Sequence, residues 1–499
     1  MSSLSNSGVR AFKWSALSTV ARFVLQFLAQ VVLARLLGPE NYGIFGIGMV
    51  VYTFSNFLVG FGFGWSLLQR ETLTDQDIRF AFTWQLIAGC VAMLGLYFAA
   101  PWLSIYFRDL RVQPVIEWMS LACLMNAITS PASNLLQRDL NFKTLGFIQV
   151  GSYAIGYLIV GIPMAFMGHG VYSLVAAWLT QAASAMIFSY AVKRHPVKLL
   201  FWYVDSKSAF GVGGAVFLTN IVNWTLNNLD RVSIGRLLNP QAIGLYTAGY
   251  NIATMPNTLL LGALQPAFMA AASKMQSDPK RLGRAYLQML ATTWVLILPF
   301  FVFLALISGD LVQLLYGPKW AQTASVMAVL FLGMPAYVTW GVSTPVLWNT
   351  GRKRHEFLLQ LPLLFIGAFG FFLFAKEGIL AAAVIASGLL FLRAVVVAAS
   401  AFRAVGLRLI DLLPHILRGL LLCGLPVLGV FSAQHLAAPW AIPLVMITLS
   451  GFLTLMLLII LVKIYPQLFG VEATGMVIKF APRLQAVLKH KSLQDDYLS

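Results

Sequence analysis

The sequence predicts an all-α integral membrane protein with about fourteen transmembrane helices. Of its 499 residues, 59% are apolar and only 10% are charged, and long apolar runs recur along the chain. A soluble protein typically carries about 25% charged residues, so the charges here are too few to cover several globular domains. At roughly 20 apolar residues per span, fourteen helices fit the length and leave short connections.

Twelve of these spans form two groups of six. The first group comprises residues 14–36, 42–68, 80–106, 114–136, 146–167 and 171–192, and the second comprises 209–237, 242–271, 285–308, 321–348, 356–375 and 379–402. Two further runs are 413–433 and 441–464. We therefore predict an N-terminal six-helix lobe (1–192), a cytoplasmic linker (193–208), a C-terminal six-helix lobe (209–403), two additional helices (404–465) and a cytoplasmic basic tail (466–499).

The basic residues predict the orientation in the membrane. A formal charge of +17 would suggest nucleic acid in a soluble protein, but most basic residues here lie between apolar runs. If the N-terminus is cytoplasmic, the inside connections hold 24 of the 34 basic residues and the outside connections hold six. Short cytoplasmic loops are enriched in Lys and Arg. The charge therefore indicates topology, with both termini cytoplasmic, and we expect no nucleic-acid partner.

An internal repeat relates the two groups of spans. Residues Ala34 to Pro39, followed by Gly43, match Gly235 to Pro240, followed by Gly244, at an offset of 201. A second landmark, Ser130-Pro131, falls against Thr344-Pro345 at an offset of 214. Two halves that start on the same side of the membrane are related by an axis along the membrane normal, as in transporters built from parallel repeats.

Polar stripes follow one side of two predicted spans. The stripe on the first span consists of Arg22, Gln26 and Gln30. The stripe on the seventh span consists of Asn220, Asn223, Asn227 and Asp230. Polar groups at membrane depth usually face a cavity or a partner helix. The stripes predict a polar seam between the halves, where such carriers bind substrate; the alternative is that the amides only hold helices together.

Two arginines on or beside these stripes predict an anionic ligand. Arg22 lies about nine residues from the cytoplasmic end of its span, or roughly 13 Å, which is long for snorkelling. A guanidinium grips phosphate in a bidentate fashion, so Arg22 and Arg231 suit a phosphate or diphosphate. Asp230 is the one acid predicted to lie deep. It binds a coupling cation or neutralises an arginine such as Arg22; Arg231 points about 100° away around the helix and is a poor partner.

Other kinds of site are not indicated. The six histidines are scattered without ligand spacing, the three cysteines form no CxxC pair, and no GxxxxGK[ST] motif is present, so we expect neither a metal site nor ATP hydrolysis. Two basic-aromatic segments, Lys198–Tyr203 and residues 477–491, are either interfacial helices or simply linker and tail.

Four motifs resemble a known family. They are Leu33–Glu40, Leu136–Lys143, Asn228–Tyr246 and Leu315–Trp320, and together they resemble the polysaccharide-transport branch of the MOP exporter superfamily over roughly residues 8–405. The resemblance implies a Wzx-type flippase close to the colanic-acid exporters, with the V-shaped fold of two pseudo-symmetric six-helix lobes plus two C-terminal helices seen in MATE multidrug extruders. Arg231 departs from the family, which often has another polar residue there.

The resemblance also implies the cargo. Such proteins move an undecaprenyl-diphosphate-linked oligosaccharide from the cytoplasmic to the periplasmic leaflet of the bacterial inner membrane, for exopolysaccharide, capsule or O-antigen synthesis. We expect the diphosphate to be held by Arg22, Arg231, Arg35 and Arg236. We expect the sugars to contact Gln26, Gln30, Asn220, Asn223, Asn227 and Asn251. The prenyl tail would stay in lipid through a side opening while the lobes rock to alternate access.

No covalent chemistry is needed for this task, so we expect a transporter and not an enzyme, without a cofactor. Coupling to an H⁺ or Na⁺ gradient stays open. Expected partners are the lipid-linked oligosaccharide, membrane lipids and a polymerase or glycosyltransferase assembly, with the chain itself a monomer. Two rival functions are a MATE-like multidrug cation antiporter of the same fold and a membrane-embedded polysaccharide polymerase or glycosyltransferase. The first would offer acids to its cargo, and the second a large outside loop.

Overall fold

The computed structural model describes residues 2–59, 67, 73–203, 213–437 and 442–470. Within these ranges every regular element is a helix. Ten helical stretches of the described residues are long and apolar enough to cross a membrane, and the described part of each of the fourteen predicted apolar runs contains helix. The predicted class, an all-α membrane protein, is confirmed.

The chain divides into two compact units, Met1–Leu245 and Tyr246–Ser499. The helices of the first unit are α1 (Ser2–Val59), α2 (Asp75–Phe107), α3 (Val112–Arg138), α4 (Phe142–Phe166, with a π-helical stretch Ala154–Gly161), α5 (Tyr172–Val192) and α6 (Gly213–Leu237). The unit boundary falls inside α7 (Pro240–Lys274). The lobe boundaries predicted from the repeat stay a prediction.

Among its described residues, the second unit continues from α7 with eight further α-helices. They are α8 (Pro279–Leu306), α9 (Ser308–Leu315), α10 (Thr323–Asn349), α11 (Lys353–Phe374), α12 (Ile379–Ala404), α13 (Leu413–Leu422), α14 (Gly424–Ala437) and α15 (Pro443–Ile464). Its core lies where α7, α8, α10 and α12 meet, around fully buried side chains such as Leu290, Val342 and Phe402. The predicted basic tail beyond residue 470 is outside the described residues.

Two predicted spans are joined in the kinked helix α1. The break is at Gly38, whose φ of 73° and ψ of 172° are not helical. Glycine takes a positive φ without the steric cost that a Cβ brings. Pro39 follows. Proline suits the first position of a new helical arm because a backbone N–H at that position would have no partner within the helix, so its absence costs nothing. The Gly-Pro pair of the repeat therefore marks a bend.

Residues 194–203, which follow α5, form a non-helical segment that lies against α2. Residues 194–203 have no helical structure, so the hypothesis of an interfacial helix over Lys198–Tyr203 is wrong, while the assignment of this stretch as a linker stays a prediction. The amide of Leu200 donates to Thr83 Oγ1 at 2.8 Å, and Trp84 Nε1 donates to the carbonyl of Phe201 at 3.2 Å. Residues 204–212 of the linker lie outside the described chain.

Candidate functional site

The predicted phosphate ligand Arg22 lies half-buried on the first arm of α1. Its Nη1 donates to Oε1 of Gln149 on α4 at 3.1 Å, and α4 packs along α1. An amide accepts a hydrogen bond without cancelling the charge of the guanidinium. Gln149 was not among the residues predicted for the site, although a glutamine near the start of an apolar run is a signal that the sequence displays.

The rest of the α1 stripe leads from Arg22 towards the bend. Gln26 and Gln30 are half-buried, and Arg35, one turn before Gly38, is exposed. The hydroxyl of Tyr42, from the second arm, donates to the backbone carbonyl of Gln30 at 3.3 Å. This contact ties the two arms of α1 together beside the polar stripe.

The α6 stripe contains a buried charge pair. The side chains of Asn223 and Asn227 are half-buried, while the side chain of Asn220 lies outside those that the structure describes. Arg231 folds back along α6, where its Nη2 donates to the carbonyl of Asn227 at 2.7 Å. Its Nε then lies 3.7 Å from Oδ1 of Asp230, and these side chains are only 16% and 7% exposed.

The expectation that Arg231 is a poor partner for Asp230 is therefore wrong. That expectation assumed that each side chain extends straight out from the helix, so that two consecutive side chains would end 100° apart. An arginine side chain has several rotatable bonds, and here it curls back by one turn towards the preceding residues, which brings its Nε to the neighbouring carboxylate. Asp230 is thus engaged on its own helix.

Arg236, near the C-terminal end of α6, contacts α2. Its Nη1 donates to the carbonyl of Tyr106 at 2.8 Å, and its guanidinium carbon lies 5.1 Å from the centroid of the Tyr106 ring. The structure thus places Arg22, Gln26, Gln30, Arg35, Arg236 and the α6 stripe in the first unit. Asn251 is exposed on α7 and belongs to the second unit.

Charged side chains also cluster in the connection between α2 and α3. Arg111 contacts Glu40 through Nη1 and Asp109 through Nη2, both at 2.8 Å. Partial burial acts to raise the pKa of Asp109, but the hydrogen bonds from the side chain and backbone of Arg111 outweigh it and lower that pKa. The side-chain hydrogen bonds that Arg111 makes with Asp109 and with Glu40 raise the pKa of Arg111. Glu40 follows Pro39, so this cluster holds the bend of α1 against the α2–α3 connection.

The second unit holds a buried polar network that sequence analysis missed. Arg393 on α12 is 2% exposed, lies 3.6 Å from the ring centroid of Trp340 and donates to Oε1 of Gln360 on α11. Glu356, one turn before Gln360, accepts hydrogen bonds from Thr344 Oγ1 at 2.8 Å and from Trp348 Nε1 at 2.6 Å.

Glu356 is only 5% exposed, so it is buried in the protein although it lies at the end of a span; that Asp230 is the one acid deep in the membrane stays a prediction. Glu356 occupies the first turn of α11, and a sequence count places it at the end of a span. The side chains of α10 cover it in the folded unit. The available signal was the spacing of Glu356 and Gln360 by four residues, which puts them on one face, together with an arginine inside the next span.

Within the described residues, no group of three or more His, Cys, Asp or Glu side chains is placed to hold a metal ion. The guanidinium groups described above are suited to an anion because they can donate two parallel hydrogen bonds to it.

The matches to known proteins favour one family. A family described as "Polysaccharide biosynthesis protein" matches residues 32–325, which is more than half of the chain. The chain belongs to this family. Among similar proteins, the lipopolysaccharide biosynthesis protein WzxC of Escherichia coli (strain K12) is 22% identical over 333 residues, 66% of this chain and 67% of WzxC. The succinoglycan biosynthesis transport protein ExoT of Rhizobium meliloti (strain 1021) is 25% identical over 343 residues, 68% of each protein.

Two solved structures have a fold similar to that of this member of the polysaccharide biosynthesis family. The lipid II flippase MurJ in an inward closed conformation has a TM-score of 0.71 at 12% identity, covering 90% of this chain and 98% of its own. An inward-facing MATE multidrug transporter of the MOP superfamily has a TM-score of 0.63 at 14% identity, and the match covers 79% of this chain and 98% of the transporter. The family member is a multi-pass membrane protein with the MOP fold. Its predicted place in the polysaccharide-transport branch is confirmed, among transporters and not among enzymes.

Proposed function

We propose that this protein is a flippase for a polyprenyl-diphosphate-linked oligosaccharide, which it moves from the cytoplasmic to the periplasmic leaflet of the bacterial inner membrane. Membership of a polysaccharide biosynthesis family, a transport protein among its relatives and the fold of a lipid II flippase support the class of cargo. The observation that carries the proposal is Arg22, a cation on a membrane-crossing helix whose observed partner is the neutral amide of Gln149.

The physical problem is the hydration of the cargo. A diphosphate and several sugars crossing hydrocarbon unaided would lose their hydrogen bonds to water, at a cost of several kcal/mol for each unsatisfied group. A wet, cationic passage removes this barrier. The proposed diphosphate ligands are Arg22, Arg231, Arg35 and Arg236. The proposed sugar contacts are Gln26, Gln30, Asn220, Asn223, Asn227 and Asn251.

These arginines differ in the charge that they offer. Arg231 lies beside the carboxylate of Asp230 at 3.7 Å, which offsets part of its field, and Arg35 is exposed. Arg22 is half-buried next to an amide. Since the interaction of a cation with phosphate strengthens as water is excluded, Arg22 is proposed as the principal diphosphate ligand. Rocking of the predicted lobes would expose it alternately to the two sides.

The test is transport by the purified protein in vesicles supplied with an undecaprenyl-diphosphate-linked oligosaccharide. We expect Arg22→Ala to abolish translocation without lowering the amount of folded protein, and Arg22→Lys to retain part of it, because a lysine keeps the charge but not the bidentate geometry. The matched control is Arg418→Ala, which removes another half-buried helical arginine, on α13, and should leave transport intact. Unchanged transport by Arg22→Ala would overturn the proposal.

The same vesicles address coupling and the rival function. Imposed proton and sodium gradients would show which ion, if either, drives the step. An organic cation that competes with the lipid-linked oligosaccharide, or that is itself transported, would favour a multidrug extruder. The carboxylate of Asp230 beside Arg231 makes the described part of α6 a poor receptor for a cationic drug, because the neighbouring guanidinium repels it.

A further inference from the structure

An apolar groove lies within the first unit between α1, α2 and α6. Its volume is about 450 Å³, inside the range of roughly 300–1,000 Å³ that is usual for small-molecule sites. Val51 and Phe54 of α1, Gly95 and Ala99 of α2, and Trp224 of α6 are among its lining residues. None of these residues belongs to the diphosphate or sugar sets proposed above.

The walls of the groove are held by specific contacts. Trp224 Nε1 donates to Thr53 Oγ1 at 3.1 Å, and the rings of Trp224 and Phe54 lie 4.9 Å apart. On the α2 side, the small residues Ala92, Gly95 and Ala99 do not project far into the groove. An ideal Cβ built on Gly95 meets no atom within 4 Å. The groove is therefore an open slot with a fixed aromatic side.

One end of the groove carries a cation. Tyr106 lines the groove, and Arg236 donates to its backbone carbonyl at 2.8 Å and lies over its ring. Val232, another lining residue, precedes Arg236 by four positions and therefore shares its helix face. The hydrogen bond to Tyr106 uses one of the five N–H donors of a guanidinium.

The groove is long as well as apolar. Along α2 its lining residues run from Val91 to Phe107, which at 1.5 Å per residue corresponds to about 24 Å. That is most of the roughly 30 Å thickness of the hydrocarbon core. A ligand that matches the slot has a long apolar chain and an anionic group at one end, because Arg236 marks that end.

We infer that this groove binds the prenyl chain of the lipid-linked cargo, with the diphosphate next to Arg236. The inference rests on the proposed function and gives the prenyl chain a defined site on the protein, in place of bulk lipid. Two features favour a prenyl diphosphate: the apolar slot suits the chain, and a guanidinium pairs with phosphate in a bidentate fashion.

The test measures binding of three lipids to the full-length protein in nanodiscs, by native mass spectrometry or thermophoresis. The lipids are undecaprenyl diphosphate, the uncharged undecaprenol with the same chain, and phosphatidylglycerol. Gly95→Leu fills the slot and Arg236→Gln removes the charge while keeping an N–H donor for Tyr106. The matched control is Gly388→Leu on α12, a second exposed helical glycine with no atom within 4 Å of its ideal Cβ.

We expect Gly95→Leu to weaken binding of both prenyl lipids by roughly tenfold, equivalent to about 1.4 kcal/mol, and Gly388→Leu to change neither. Arg236→Gln should weaken only the diphosphate. Thermal unfolding of each variant checks that the fold is intact. If Gly95→Leu binds undecaprenol as tightly as the wild type does, the inference is overturned. It is also overturned if phosphatidylglycerol competes equally well with the prenyl lipids, because the groove would then be a general lipid site.

The inference and the proposed function can fail separately. If the wild-type protein transports the lipid-linked oligosaccharide but Gly95→Leu leaves the affinity for the prenyl lipids unchanged, only the groove is misassigned. If binding responds as expected but no transport occurs in vesicles, the groove is a prenyl-diphosphate site and the proposed function fails.

Discussion

Gly43 and Gly244, which occupy equivalent places in the sequence repeat, face each other in the first unit. A Cβ built on Gly43 would lie 1.6 Å from the carbonyl oxygen of Pro240, and one built on Gly244 would lie 1.8 Å from the carbonyl oxygen of Pro39. Each repeat motif thus packs its glycine against the proline carbonyl of the other. The contact is reciprocal, as in an isologous interface between two copies of one motif.

Replacing either glycine should destabilise the protein, because no side chain fits between the two backbones. We expect Gly43→Ala to lower the free energy of unfolding by about 1–3 kcal/mol, the usual cost of overpacking. The measurement is thermal or denaturant unfolding in detergent. Gly262→Ala on α7 is the control, since its ideal Cβ meets nothing within 4 Å. A loss for Gly262→Ala equal to that for Gly43→Ala would contradict the close contact.

Removing Arg393 should be among the most damaging single changes in the second unit. Arg393→Met keeps an unbranched, flexible side chain but leaves Gln360 without its donor and removes the cation that interacts with the buried Glu356. Leaving a buried hydrogen-bonding group unsatisfied costs about 1–3 kcal/mol, and more when a charged group is involved. The measurement is again unfolding in detergent.

The matched variant of this network is the double substitution Arg393→Met with Glu356→Gln. It removes both charges, and the glutamine can still accept from Thr344 or Trp348. We expect it to be more stable than Arg393→Met alone. A double variant that is no more stable would show that Glu356 and Arg393 do not interact.

Asp230 and Arg231 should be energetically coupled. In a double-mutant cycle of Asp230→Asn and Arg231→Met, we expect a coupling energy of about 1 kcal/mol, within the range found for contacting residues. If wild-type transport responds to a proton or sodium gradient, Asp230→Asn should keep that response, because the carboxylate is engaged by Arg231. Zero coupling together with a lost gradient response would instead assign Asp230 to ion coupling.

His195 should make stability fall in mild acid. It is 7% exposed and packs against the rings of Phe82 and Tyr190 at 5.4 and 5.5 Å. Burial lowers the pKa of His195, and the Pro196 carbonyl only partly opposes this. The unfolded chain then binds the proton more readily, so stability is complete above the unfolded pKa of about 6.5 and declines as the pH falls below it.

The check is unfolding between pH 5 and pH 8 for the wild type and for His195→Phe, which keeps a ring between Phe82 and Tyr190. The slope of stability against pH near pH 6 should flatten in the variant. An equal slope in both proteins would assign the acid sensitivity to other groups.

Much of this structure was predictable from the sequence, since each apolar run of about 20 residues must satisfy its backbone within itself and therefore forms a helix in lipid. The Gly38-Pro39 bend was visible as part of a repeated motif, and Arg22, Asp230 and Arg231 were visible as charges inside apolar runs. Such features depend on local spacing along one helix, which a sequence displays directly.

Contacts between helices were not predictable in this way. The pairing of Arg22 with Gln149, the burial of Glu356, the return of Arg231 to Asp230 and the groove under Trp224 depend on which helix faces are neighbours and on side-chain rotamers. The sequence alone determined the helices, their polar stripes and the repeat, because these follow from the periodicity of a single chain segment. Only the tertiary structure decided the partners and the cavity, because packing selects one arrangement among many that share the same periodicity.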